Sequence, residues 1–137
     1  MLLLHYMGYS LIRNQLFRAR AEPLTRFVTF HDIPNSAEGN FRLNLLWLKK
    51  NTSVVSLDDF LAGRLSSKRI NTVITFDDGY KSWVSAVIPL LMELNLPAIF
   101  FVSSGFLDLS KDEQVRFARS KLQADSDISG GLARDDL

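Results

Sequence analysis

The 137-residue sequence contains no cysteine. It can form neither a disulfide nor a thiolate metal site, so a bound metal would need histidine, aspartate or glutamate ligands. Histidine is scarce as well: His5 and His31 are the only two, and neither has a second histidine four residues on. Charge of one sign is lacking, with 16 Lys and Arg against 15 Asp and Glu and a net charge of +1. Whole-chain charge therefore gives no reason to expect a nucleic-acid partner. No apolar run approaches the roughly 20 residues of a membrane-spanning helix, so no transmembrane span is expected. A secretory leader is not expected either. Met1 to Leu4 are apolar, but His5 and Tyr6 follow at once, and Arg13, Arg18 and Arg20 come after the apolar part, the reverse of a signal peptide. The compartment stays open, with a cytoplasmic or membrane-peripheral setting both compatible with the sequence.

What is present fits one domain with a real core, because 47% of the residues are hydrophobic. Residues 1–25 are set apart as a basic amphipathic segment. Leu11, Ile12, Leu16 and Phe17 alternate with arginines, so residues 1–20 could contact a membrane surface peripherally or simply pack as an ordinary helix.

Residues 26–137 read as an α/β unit. Phe27 to Phe30 is a short strand, followed by His31-Asp32-Ile33 and stopped by Pro34. Phe41, Leu45, Leu46 and Leu48 have helical spacing, closed by Lys49-Lys50-Asn51. Ser53 to Val55 is a short strand. Ser56 to Gly63 is a small helix, with Ser56 as N-cap and Gly63 as C-cap. Ile70 to Phe76 is a buried strand. Trp83, Val84, Val87, Ile88, Leu91 and Leu94 mark a helix face, which Pro89 should kink or divide. Ala98 to Val102 is a second buried strand, completing a βαβ unit. Ser110 and Glu113 form a capping box for a helix through about Leu122. Residues 124–137, with Gly130-Gly131, are polar and look loosely ordered.

Asp77 and Asp78 carry the most information. They follow Val73-Ile74-Thr75-Phe76 and precede Gly79. Buried carboxylates are costly unless paired or metal-bound, so the pair should sit where the strand emerges. In βα architectures function collects beyond the carboxyl ends of the strands. Glycine next in sequence would let the backbone turn and bring both side chains to one pocket. Close carboxylates tend to divide roles, one ionised on a metal and the other a base. The plainer alternative is a helix cap and a solvated strand-end acid.

Thr75-Phe76-Asp77-Asp78-Gly79-Tyr80 resembles the first motif of the polysaccharide deacetylase family, the NodB-homology or carbohydrate esterase 4 proteins. Val87-Ile88-Pro89-Leu90-Leu91 and Leu96-Pro97-Ala98-Ile99-Phe100-Phe101-Val102 resemble that family's next helix and strand. Phe30-His31-Asp32-Ile33 and Val54-Val55-Ser56-Leu57-Asp58-Asp59-Phe60-Leu61 resemble the lead-in of its longer members. The resemblance covers roughly residues 26–137, with its core at 70–106. It implies a partial (β/α) barrel of the NodB-homology type, with about four parallel strands and covering helices. It also implies that Asp77 is the general base and Asp78 a ligand of a divalent metal, normally zinc, in the hydrolysis of N-acetyl or O-acetyl groups on a glycan. His31, Asp32, Gly79 and Tyr80 are candidates to line the pocket. Tyr80, Trp83 and Phe106 could offer stacking surfaces to a sugar, although Trp83 has the spacing of a core residue.

The family's two histidine ligands, from a His-Ser/Thr-x-x-His motif, have no counterpart in this sequence. Catalytic zinc typically takes three protein ligands, and a barrel of this kind typically exceeds roughly 200 residues. The expectation is therefore a domain truncated at its C-terminus, weakly active or inactive, with an open sheet edge near Ala98 to Val102. The alternative is a non-catalytic remnant that binds a glycan or a partner. His31 could replace a missing ligand, with Asp32 orienting its ring. The plainer role for His31 is to hydrogen-bond the backbone and shape the pocket floor.

Overall fold

The computed structural model describes residues 22–110, 112–114 and 116–117. The expectations for His5, for residues 1–20, for the end of the helix toward Leu122 and for Gly130-Gly131 lie outside the described residues. The elements run β1 (Thr25–Phe30), a 3₁₀ turn (Asn35–Ala37), α1 (Glu38–Asn51), β2 (Ser53–Val54), α2 (Leu57–Leu61) and β3 (Asn71–Phe76). A π-helical turn (Trp83–Val87), α3 (Ile88–Leu94), β4 (Ile99–Phe100) and α4 (Ser104–Leu107) follow.

The fold is α/β, with four parallel strands and covering helices, and β3 is its axis. All six residues of β3 are buried, as a two-sided apolar strand requires. β1 pairs along its whole length, from Thr25 opposite Asn71 to Phe30 opposite Phe76. β2 pairs with its beginning, Ser53 opposite Asn71, and β4 with its end, Phe76 opposite Phe100. The carbonyls of Ile70, Thr72 and Phe76 accept from the backbone N–H groups of Ser53, Val55 and Phe101. The N–H groups of Asn71 and Asp77 donate the other way, to Leu24 and Phe30. β2 and β4 therefore share one edge of β3, and β1 holds the other.

Phe76, the last residue of β3, is an aromatic hub. It stacks on Phe100 at 4.9 Å and on Phe30 at 5.5 Å, and meets Phe41 and Trp83 edge-on at 6.0 and 5.9 Å. Offset and edge-on pairs at these separations add to the burial itself. The residue before Asp77 is thus clamped between two strands and two helices.

Helix α1 buries Phe41, Leu45 and Leu48, but Leu46, expected on the same face, points outward. Positions 41, 45 and 48 already complete one stripe, and 46 falls beside it. Pro89 does not break its helix. Its ring lacks the N–H that would close the preceding turn. The chain takes up the difference in the π turn, where the N–H of Ile88 donates to the carbonyl of Trp83, five residues back. The turn shifts the buried face to Trp83, Ala86, Val87, Leu90, Leu91 and Leu94, which leaves Val84 and Ile88, both expected inside, exposed.

Ser56 caps α2 as expected, its hydroxyl accepting the Asp59 N–H at 3.1 Å. Gly63 follows the C-cap residue Ala62 in the left-handed region, at φ +68°. The Glu113 carboxylate accepts from the Ser110 N–H at 2.9 Å, which is one half of a capping box.

Candidate active site

Asp77 and Asp78 lie where β3 emerges. Phe76 is fully buried, Asp77 is half-buried and Asp78 is exposed. The Asp77 N–H still donates to the Phe30 carbonyl at 3.0 Å, so this residue remains anchored to β1. The turn expected at the glycine begins one residue earlier. Asp78 has φ +82° and Gly79 φ +74°. A non-glycine residue there is strained, typically by 1–3 kcal/mol, and such strain concentrates at functional sites. Gly79 is confined as well as permissive: a Cβ there would stand 3.3 Å from Val102 Cγ1, beyond β4.

The loop after β1 comes to the same end of the sheet. His31 Nε2 lies 3.8 Å from Asp78 Oδ2, with the two side chains 59% and 40% exposed. The ring of His31 thus faces Asp78. The backbone of His31 is held instead of its ring: its carbonyl accepts from Trp83 Nε1 at 3.0 Å. The Asp32 carboxylate accepts from the Ser82 hydroxyl at 2.6 Å, and Ser82 Oγ accepts from the Ile33 N–H at 3.3 Å. Ser82 and Trp83, at the start of the π turn, therefore hold the 31–33 loop against the end of β3. Sequence reasoning assigned Ser82 no role, and Trp83 a core position or a sugar-stacking surface but no tie to the 31–33 loop. A serine and a tryptophan shortly after Asp-Asp-Gly carry no local pattern that announces a partner about fifty residues upstream.

Tyr80 is buried, and burial together with the nearby Asp78 and Asp32 charges pushes its phenol above the ordinary value of 10.0. It stays a neutral hydrogen-bond donor at the edge of the acidic cluster. The expected stacking platform is not formed, because Tyr80, Trp83 and Phe106 are all buried. Trp83 packs on Phe76 and Phe100, and Phe106 on Phe117. A cleft of about 550 Å³, lined by Val54, Asp59, Leu91, Met92, Leu96 and Phe100 among others, opens elsewhere, beside β2 and β4.

Among the described residues, no three His, Asp or Glu side chains converge on one point as a metal centre requires. Asp78 and His31 are two oxygen and nitrogen donors of the kind zinc accepts, one short of a catalytic set. The described residues therefore fit part of a metal site.

Residues 65–123 match the sequence profile of the polysaccharide deacetylase family. Over 80 residues, 56% of this chain, the sequence is 30% identical to the poly-beta-1,6-N-acetyl-D-glucosamine N-deacetylase of Escherichia coli K12. The counterpart in Escherichia coli O157:H7 matches equally. The matched stretch spans 12% of either relative's length. Among solved structures, IcaB from Ammonifex degensii aligns with a TM-score of 0.55 and 25% identity, over 64% of this chain and 41% of that one. A de-N-acetylase from Aggregatibacter actinomycetemcomitans shares the fold, with a TM-score of 0.60 at 21% identity, over 82% of this chain and 48% of that one. The match at 65–123 contains the Asp77-Asp78 strand, the helix behind it and β4, so over this stretch the chain is similar in sequence to the polysaccharide deacetylases, within an α/β fold that it shares with the solved structures.

Proposed function

We propose that the protein is a metal-dependent deacetylase of N-acetylated glycans, or part of one, with residues 26–137 forming the deacetylase-like domain and 1–25 a separate basic segment. The observation that supports this reading is the position of Asp77 and Asp78 at the mouth of β3, inside the segment that matches the family. Asp78 supplies one metal ligand, its backbone at φ +82° and its carboxylate 3.8 Å from His31 Nε2. Asp77, anchored through its own N–H to β1, is the base that takes the proton from the attacking water. A divalent metal, zinc in the simplest case, would polarise the acetyl carbonyl. Tyr80 remains protonated across the working range and can donate a hydrogen bond into the site. His31 and Asp32 line it, with Gly79 allowing the close backbone turn.

The test is paired. In Asp78→Asn, zinc affinity measured by calorimetry should fall. In Asp77→Asn, zinc should stay bound while hydrolysis of an N-acetylglucosamine oligomer falls by about 10²-fold or more. Equal zinc binding by both variants would overturn the roles. With two donors among the described residues, the 137-residue chain alone is expected to turn over slowly or not at all. Brisk hydrolysis by that chain with added zinc would refute this expectation. The same shortage of donors favours a second reading, a non-catalytic module that binds glycan or a partner. Glycan binding in the presence of a chelator, unchanged in Asp78→Asn, would support that reading over the first.

A further inference from the structure

The outer face of α1 carries an apolar patch that neither the core nor the acidic site uses. Leu43 is 64% exposed, Trp47 60% and Leu46 40%. Leu43 and Trp47 stand one turn apart, and Leu46 adjoins both, so they form one surface. Its acidic neighbours, Glu38 in the first turn and Glu93 on α3, lie on the Arg42 side, and the end of the helix beyond Trp47 is basic. From Gly39 to Leu57 the sequence holds Arg42, Lys49 and Lys50 and no aspartate or glutamate. The Arg69 guanidinium donates to the Lys50 carbonyl and brings Lys68 and Arg69 to the same end of the helix. Arg42 is neutralised by Glu93, and Lys49 reaches the Leu94 carbonyl, whereas Lys50 and Lys68 are exposed.

The face is convex, a helix surface and not a groove, which suits a flat partner. Leucines and a tryptophan at the headgroup boundary, with lysines extending to either side, are the pattern of an interfacial helix. Its cations complement an anionic surface, each worth about 1 kcal/mol beside acidic lipid. α1 runs from the carboxyl end of β1 to the amino end of β2. Trp47 and Lys50 therefore lie toward the end of the sheet opposite Asp77 and Asp78.

We propose that the outer face of α1 is a contact surface for an anionic bilayer. Leu43, Leu46 and Trp47 enter the headgroup region, and Lys50, Lys68 and Arg69 meet the acidic headgroups. The Asp77-Asp78 end would then face away from the membrane. The proposal rests on residues of α1 and on Lys68 and Arg69 alone, and does not depend on the deacetylase reading.

The full chain would be mixed with phosphatidylcholine vesicles, with and without phosphatidylglycerol, and followed by co-sedimentation and tryptophan emission. The sequence has two tryptophans, and Trp83 is buried, so a blue shift reports Trp47. The expected result is binding and a blue shift on the anionic vesicles, weakened by salt. Leu43→Asp with Trp47→Ala should weaken binding about tenfold or more. Lys50→Glu with Lys68→Glu should weaken it by about fivefold per charge and abolish the preference for phosphatidylglycerol. All four positions are exposed, and matching circular dichroism spectra would show the variants folded. An unshifted Trp47 emission on anionic vesicles overturns the proposal. So does binding that the α1 variants leave unchanged, which would place the contact elsewhere. A dimer in sedimentation equilibrium that dissociates in Trp47→Ala also overturns it, because a second copy would then cover the face.

Discussion

At the scale of single residues, the strained backbone of Asp78 is the feature most open to test. A left-handed conformation costs a non-glycine residue roughly 1–2 kcal/mol, and glycine offsets part of that gain through a more flexible unfolded chain. Asp78→Gly, with φ held at +82°, should therefore stabilise the fold by up to about 1 kcal/mol while removing the carboxylate. A urea midpoint below that of the parent chain would show that Asp78 is held for packing and not for chemistry. The neighbouring substitution should act in the opposite direction. Gly79→Ala forces a side chain into the same region and toward Val102 Cγ1 at 3.3 Å, and should cost about 1–2 kcal/mol. At this scale the carboxylates were legible from an apolar run ending in Asp-Asp-Gly. The position of the turn was not, because a sequence names the residue that can take positive φ and says nothing of the one that is made to.

At the scale of elements, β3 and its surroundings behave as one clamp. Phe76 touches Phe30, Phe41, Trp83 and Phe100, so Phe76→Ala removes contacts to four segments at once and should cost about 3–5 kcal/mol, read as a shift in chemical denaturation. Trp83→Phe is a finer probe. It keeps most of the packing and deletes the 3.0 Å hydrogen bond to the His31 carbonyl, at an expected cost of about 1 kcal/mol from the bond and more from the lost ring volume. His31 ring resonances followed by NMR should move in this variant, because the loop that carries the ring loses a tether. Unmoved resonances would mean that the Ser82–Asp32 contact alone sets the loop. The elements themselves were largely legible: strand, helix and cap positions follow apolar spacing and the residues Ser56, Gly63 and Ser110. The face of the Pro89 helix was not. A proline announces a disturbance, but the helix can bend, stop or widen. Here it widens, and the five-residue hydrogen bond to Trp83 rotates Val84 and Ile88 outward. The long-range ties from Trp83 and Ser82 to the 31–33 loop were also hidden, since they depend on how β1 and β3 sit side by side.

At the scale of the whole molecule, the covering layer is tied together by charge. Arg42 Nη1 on α1 donates to Glu93 on α3 at 2.7 Å, and Lys49 reaches the Leu94 carbonyl at the end of the same helix. Two helices that follow different strands are thereby joined across the front of the sheet. The Arg42 guanidinium holds the Glu93 carboxyl below its ordinary value of 4.5, and Arg64 with Ser56 holds Asp59 below its ordinary 3.8. In both cases the unfolded chain takes up the proton first as pH falls. The contribution is therefore complete above the ordinary values and is lost as pH drops through the lower values of the folded state. Stability should consequently fall on acidification below about pH 4.5, where Glu93 in the unfolded chain begins to protonate. Because both pairs are at the surface, salt should shrink the effect. Glu93→Gln removes one of the two titrating carboxylates. Urea midpoints of the parent chain and of this variant, compared at neutral pH and near pH 3, should differ less at the acid end than at the neutral end. If the gap instead widened on acidification, Glu93 would be stabilised in its protonated form and the Arg42 pair would not be what joins the helices.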